Sequence, residues 1–205
     1  MASDARLRAP ATTRNREPIL NLLRRHLPSR GVILEVASGT GEHITYFAEA
    51  LSCDLRFQPS DPDAGARASI DAWAASRGVG SILPAIALDA SAENWPIRQA
   101  DGVICINMIH IAPWEAAVGL MRGAANVLPA GGVLFLYGPF RRGGQHTSPS
   151  NEAFDRTLRM QDGNWGVRDL EKVVEVAEGY GFVPPLIEEM PANNLALVFR
   201  RVAPT

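Results

Sequence analysis

Val32-Ile33-Leu34-Glu35-Val36-Ala37-Ser38-Gly39-Thr40-Gly41-Glu42 is the stretch on which the reading of this chain turns. Branched apolar residues end in small ones and pass directly into a helix-like segment, His43 to Leu51. That order describes a buried parallel strand, a tight turn, and a helix whose free N–H groups point at a ligand. Glycines at 39 and 41 let the backbone approach that ligand where a Cβ would stand in the way.

The chain around this unit has 205 residues, a length that suits one domain with a real core. Apolar residues make up 46% and charged residues 20%, a globular composition. A formal charge of -2 gives no electrostatic reason to expect nucleic acid or an anionic membrane as partner. Arginines gather near the N-terminus, but no aromatic residues are interleaved with them, so a solvated surface is expected there. Cys53 and Cys105 lack metal-ligand spacing and read as reduced thiols. With no apolar leader and no apolar run of ~18 residues, a cytoplasmic protein is expected.

Residues 1–13 are polar and Ala-rich and are expected to be flexible. From Arg14 the spacing predicts an amphipathic helix with Ile19, Leu22, Leu23 and Leu27 on one face, stopped by Pro28. Strands are predicted at 32–37, 55–58, 82–88, 102–107 and 133–137, alternating with helices near 42–51, 63–77 and 113–128. Residues 138–150 read as a Gly-, Pro- and Ser-rich loop, followed by helices near 151–160 and 167–179. The chain closes with strands at 182–190 and 195–201, joined too tightly for a crossover helix and so antiparallel. The expected fold is α/β: a doubly wound, Rossmann-like, seven-stranded, mostly parallel sheet with an antiparallel C-terminal hairpin, in a single domain.

Ligands of open α/β sheets lie beyond the carboxyl ends of the strands, which brings forward Ala37 to Gly41, Asp61, Asp89 and Asn107. Asp61 follows Gly41 by 20 positions, where a carboxylate can accept hydrogen bonds from ribose hydroxyls or simply cap the next helix with Asp63. A dinucleotide fingerprint needs a third glycine, and Ile44 occupies its place. No phosphate-binding G-x-x-x-x-G-K-[ST] loop is present. Glu35, a carboxylate within a buried strand, is hard to explain by packing; it can accept from a ligand's ammonium or order the turn. Together these residues favour a smaller cofactor carrying an ammonium, a carboxylate and an adenosine.

Leu34-Glu35-Val36-Ala37-Ser38-Gly39-Thr40-Gly41 resembles motif I of the class I S-adenosylmethionine-dependent methyltransferases, usually E/D-x-G-x-G-x-G. The resemblance implies S-adenosylmethionine as cofactor and cofactor contacts from Glu35, Ala37, Ser38, Gly39, Gly41 and Asp61. No metal is expected, since ribose binding and capping explain the pair Asp61 and Asp63 and no Asp or Glu neighbours Asn107 to form a hard-cation cluster. It further implies Asp89 at the adenine and Asn107 at the motif IV position. Ala37 stands where the class has its first glycine. More narrowly, the chain resembles a small methyltransferase-like family catalogued as a domain of unknown function. The shared features are Arg14-Asn15-x-x-Pro18-Ile19, Glu35 to His43, Gln58-Pro59-Ser60-Asp61, Asn107 to Ile111, and Gly163-Asn164-Trp165-Gly166-Val167-Arg168-Asp169. This resemblance also suggests the Asn15 segment as a lid.

Methyl transfer from a sulfonium is an in-line displacement, so alignment can supply much of the rate, ~7–11 kcal/mol in well-oriented cases. A protonated acceptor also needs a base, for which His110, just after the fourth predicted strand, is the first candidate; the alternative is a histidine satisfied by backbone. Trp114 and Tyr137 can wall the site or pack the core. Arg141, Arg142 and His146 lie in the loop where a lid or anion selector could sit. The expected reaction is methyl transfer to a small-molecule acceptor. A non-catalytic cofactor-binding module and a nicotinamide-dependent reductase are the alternatives.

Overall fold

The computed structural model describes residues 4–203. In its first half α1 (Pro10–His26), β1 (Gly31–Val36), α2 (Glu42–Ala50), β2 (Leu55–Pro59) and α3 (Ala64–Arg77) alternate. Then come β3 (Gly102–Ile106), α4 (Trp114–Val127), β4 (Val133–Gly138), β5 (Phe140–Arg142) and β6 (Gln145–His146). The C-terminal part holds α5 (Pro149–Gln161), β7 (Arg168–Asp169), α6 (Leu170–Gly179), β8 (Leu186–Met190) and β9 (Asn194–Arg200). One sheet has the order β2-β1-β3-β4-β9-β8, parallel through β4 and antiparallel at β9 and β8. The register Ile33↔Gly102 and Ile106↔Tyr137 brings the carboxyl ends of β1, β3 and β4 to one edge.

Period-2 alternation on strands buried on both faces separates two cores. Ile33, Phe57, Ile104, Phe135 and Tyr137 face the layer of α1, α2 and α3. Leu34, Val36, Cys105, Leu136 and Phe199 face α4 and α6. α1 reaches into the first core through Ile19, Leu20, Leu22 and Leu23, so the first helix is a structural wall of the domain.

Six strands, not the expected seven, form this sheet. The predicted strand at 82–88 is reduced to single parallel bridges, Phe57↔Ile82 and Ser60↔Ile86. Pro84 lies between them without an N–H to donate, so the ladder along β2 is interrupted there. The predicted loop at 138–150 contains β5 and β6, which join β7 in a second, three-stranded sheet of order β6-β5-β7. α1 begins at Pro10, ahead of the predicted start at Arg14, because proline is accommodated in a first helical turn. Pro18 lies inside that helix. The last predicted helix starts at Leu170, since residues 168–169 pair with β5 instead. Among the described residues no helix is long and apolar enough to cross a membrane.

Candidate functional site

The turn after β1 is built from its own backbone and from the end of β2. The Ser38 N–H donates to the Ser60 carbonyl (2.8 Å), and the Gly41 N–H to the Ser38 carbonyl (3.1 Å). Ser60 Oγ (2.8 Å) and Ser38 Oγ (3.3 Å) both donate to the Glu35 carbonyl. The Gly39 N–H donates to Asp61 Oδ2 (3.0 Å), and the Asp63 N–H to Asp61 Oδ1 (3.0 Å). Asp61 therefore clamps the turn and caps its own loop at once. Each of its oxygens keeps a further lone pair, so the clamping and ribose-binding readings are compatible.

The two glycines work differently. Gly39 has φ 56°, and a Cβ there would meet nothing within 4 Å, so this is where the turn opens outward. Gly41 has φ 88° and is the cap of α2; a Cβ there would lie 2.7 Å from Ile70 Cα. Its missing side chain lets α2 settle against α3 rather than letting a ligand approach. Ala37 takes φ 57°, a left-handed conformation that costs a non-glycine residue ~1–2 kcal/mol. It holds that shape in the place where the methyltransferase motif has its first glycine.

Glu35 lies beneath the turn, 2% exposed, with Oε2 unpartnered. Burial pushes its carboxyl up to about 8, opposed by a hydrogen bond with Ser38 and reinforced by the charge of Asp61. A buried carboxyl with an open oxygen can stay protonated or take up a cationic group. Asp89, by contrast, is exposed, and its Oδ1 accepts from the Ser91 N–H (2.8 Å) and Oγ (2.7 Å). Asn107 also adopts a left-handed φ of 63°, which ends β3 sharply at the same edge.

α1 covers one side of this edge. Asn15 is buried, with its Oδ1 2.8 Å from His43 Nε2. Burial holds His43 down at about 4, so its ring is neutral. Asn194 Nδ2 donates to the Tyr137 hydroxyl at 2.9 Å. The segment before α1 is tied to the turn as well. The Ala9 N–H donates to Glu42 Oε2 (2.6 Å), the Leu7 N–H to Ser69 Oγ (2.7 Å), and Ser69 Oγ in turn to the Thr40 carbonyl (2.7 Å).

On the other side, His110 is fully buried. Its Nδ1 accepts from the Arg168 N–H (3.4 Å), its carbonyl accepts from the Gly166 N–H (2.9 Å), and its ring meets Phe140 edge-on. Burial, and then the charge of Arg168, depress its basicity to about 3. With Nδ1 accepting, the proton sits on Nε2. Nε2 has no acceptor and lies against Gly138, where a Cβ would be 2.5 Å away. The segment 163–169 thus braces the end of β3. Arg168 donates to the carbonyls of Ile109 (2.9 Å), Ala112 (2.6 Å) and Asn164 (2.8 Å) and lies over the Trp114 ring. Arg141 pairs with Asp169 at 2.8 Å.

The structure brings Ala37, Ser38, Gly39, Gly41, Glu35 and Asp61 together around one turn, with Asn107, His110 and Tyr137 at the ends of the adjacent strands. Trp114 and Arg141 belong to a separate group near Arg168. Reasoning from the sequence missed Ser60, Ser69, Glu42 and Asn194. Isolated polar residues leave no periodic signal, although Glu42 lies within the Glu35-to-His43 motif and Ser60 within the Gln58-to-Asp61 motif.

Solved structures share this fold. An O-methyltransferase family protein from Burkholderia thailandensis superposes with a TM-score of 0.80 at 15% identity, over 95% of this chain and 58% of that one. An O-methyltransferase of Nostoc punctiforme, described as putative, gives 0.79 at 17% identity, over 91% and 55%. The O-methyltransferase NcsB1 of neocarzinostatin biosynthesis, in complex with S-adenosylmethionine and 2-hydroxy-5-methyl naphthoic acid, gives 0.74 at 16% identity, over 94% and 55%. The chain thus spans a little over half the length of these structures and has the class I methyltransferase fold. Residues 6–201 match the family described as "Protein of unknown function (DUF938)", and the chain belongs to that family.

Proposed function

We propose that this protein is an S-adenosylmethionine-dependent methyltransferase acting on a small-molecule acceptor. The observation that carries this reading is the turn at 37–41, held by Asp61 above a buried Glu35 with an open oxygen. Asp61 retains lone pairs for ribose hydroxyls, and Glu35 Oε2 is a buried acceptor for an ammonium. Gly39 gives open backbone where the cofactor would lie. Asp89, after the bridged segment 82–86, and Asn107, at the end of β3, complete the proposed cofactor contacts. When bound, S-adenosylmethionine would supply an electrophilic methyl group.

His110 is assigned a positioning role. A neutral ring with basicity near 3 is a poor proton acceptor at neutral pH, whereas its Nε2–H is a fixed donor. Asn15 and Tyr137, joined to His43 and Asn194, form a polar wall under α1. The fold neighbour that binds a naphthoic acid supports a small acceptor, and the free Cys53 and Cys105 thiols suit a reducing cytoplasm. Calorimetry with S-adenosylhomocysteine tests the assignment. The wild type should bind, and Asp61→Asn should bind at least tenfold more weakly, as losing a hydrogen bond to a charged group costs ~1.5–3 kcal/mol. A folded wild type that fails to bind would overturn the proposal.

A further inference from the structure

A cavity of about 250 Å³ lies on the α6 side of the strand ends, apart from the residues proposed to hold the cofactor. Its walls come from five elements. Trp114 opens α4, Arg141 is on β5, Arg159 is near the end of α5, Arg168 and Asp169 form β7, and Lys172 is in the first turn of α6. Four cations thus face one carboxylate across a small space.

The cations are arranged to keep charge available. Arg141 and Asp169 pair through one nitrogen at 2.8 Å, while Arg141 Nε is buried without an acceptor. Arg159 is held by Asp155 through Nε at 2.9 Å, with its side chain about half exposed. Arg168 spends Nε and Nη2 on carbonyls, which neutralise none of its charge. Lys172 has no ion-pair partner among the described residues. Even with Asp155 and Glu115, whose charges both act on Arg168, counted beside Asp169, one positive charge remains uncompensated. The N-terminus of α6 adds a positive end, because the Asp169 side chain does not cap it. Arg168 feels this crowding directly: burial first, then the charges of Arg159 and Arg141, lower its basicity against the opposing charges of Asp155 and Glu115.

We propose that this cavity is an oxyanion-binding site that takes the carboxylate or phosphate of a small molecule. Guanidinium groups present donors in a planar fork that matches either anion, and the Trp114 face and Val167 offer an apolar wall for whatever carries it. The open Oδ1 of Asp169 accepts a hydroxyl or N–H of the same ligand. The natural occupant is the anionic end of the methyl acceptor, an identification that rests on the methyltransferase reading; the site itself does not.

The test is a calorimetric titration of the full chain with inorganic phosphate and, separately, with benzoate, repeated in rising sodium chloride. Binding of either probe, weakened by salt, supports the site; phosphate alone or benzoate alone identifies the anion preferred. The double variant Arg159→Ala/Lys172→Ala changes two exposed side chains and should lower probe affinity at least tenfold. Its affinity for S-adenosylhomocysteine should stay within twofold of wild type. No probe binding to the folded wild type, or equal binding by the double variant, overturns the proposal. Since S-adenosylhomocysteine is titrated in parallel, loss of that binding alone would indict the cofactor assignment and leave the anion site standing.

Discussion

Replacing Glu35 by glutamine isolates the energetics of the buried carboxyl beneath the turn. Burial raises its pKa from 4.5 to about 8 in the folded protein. Between those values the native state holds a proton that the unfolded chain has released. Stability from this group is therefore fully present below pH 4.5 and drains away as pH rises through 8. One proton corresponds to about 1.4 kcal/mol per pH unit, so the whole window amounts to at most about 4–5 kcal/mol. Glutamine has the same shape and no charge to bury. The difference in unfolding free energy, variant minus wild type, should thus grow in favour of the variant by about 2–4 kcal/mol from pH 5 to pH 8. Urea denaturation at pH 5, 6.5 and 8 reads this directly. His43 and His110 titrate oppositely in the same range, but both proteins share them and the difference cancels their contribution. A difference that is flat with pH would refute the reasoning.

Ala37→Gly should stabilise the apo protein by about 1 kcal/mol, measured by urea denaturation, because glycine removes the left-handed strain that alanine tolerates at φ 57°. Gly41→Ala should do the opposite by about 2–3 kcal/mol, since it adds that strain and drives a methyl into the backbone of Ile70. Acid should unfold the protein partly through His43 and His110, which are held near 4 and 3. Their stabilisation is complete above pH 6.5 and lost as pH falls toward those values, so His110→Gln should flatten the acid limb of a thermal-melting profile. Were methyl transfer assayed, no ionisation near 6.5 should be traceable to His110; one that vanishes in His110→Gln would return the residue to the role of base.

Much of this protein was legible along the chain. The apolar run into Ala37-Ser38-Gly39-Thr40-Gly41, the acidic residue at 61 and the closing hairpin are local patterns, and strand, turn and helix follow from them before any packing is known. Other features answer to contacts between distant segments. Pro84 decided that residues 82–88 touch β2 without forming a ladder, because a strand at the sheet edge needs successive donors. The use of Gly41 depended on where Ile70 came to rest, and the basicity of His110 on Phe140 and Arg168 closing over it. Arg141, Arg159, Arg168 and Lys172 are scattered over 32 positions and carry no periodic signature. Only folding gathers them around one cavity. Backbone preference and hydrophobic period act over a few residues and can be read in order; burial, charge crowding and close approach arise where separate segments meet.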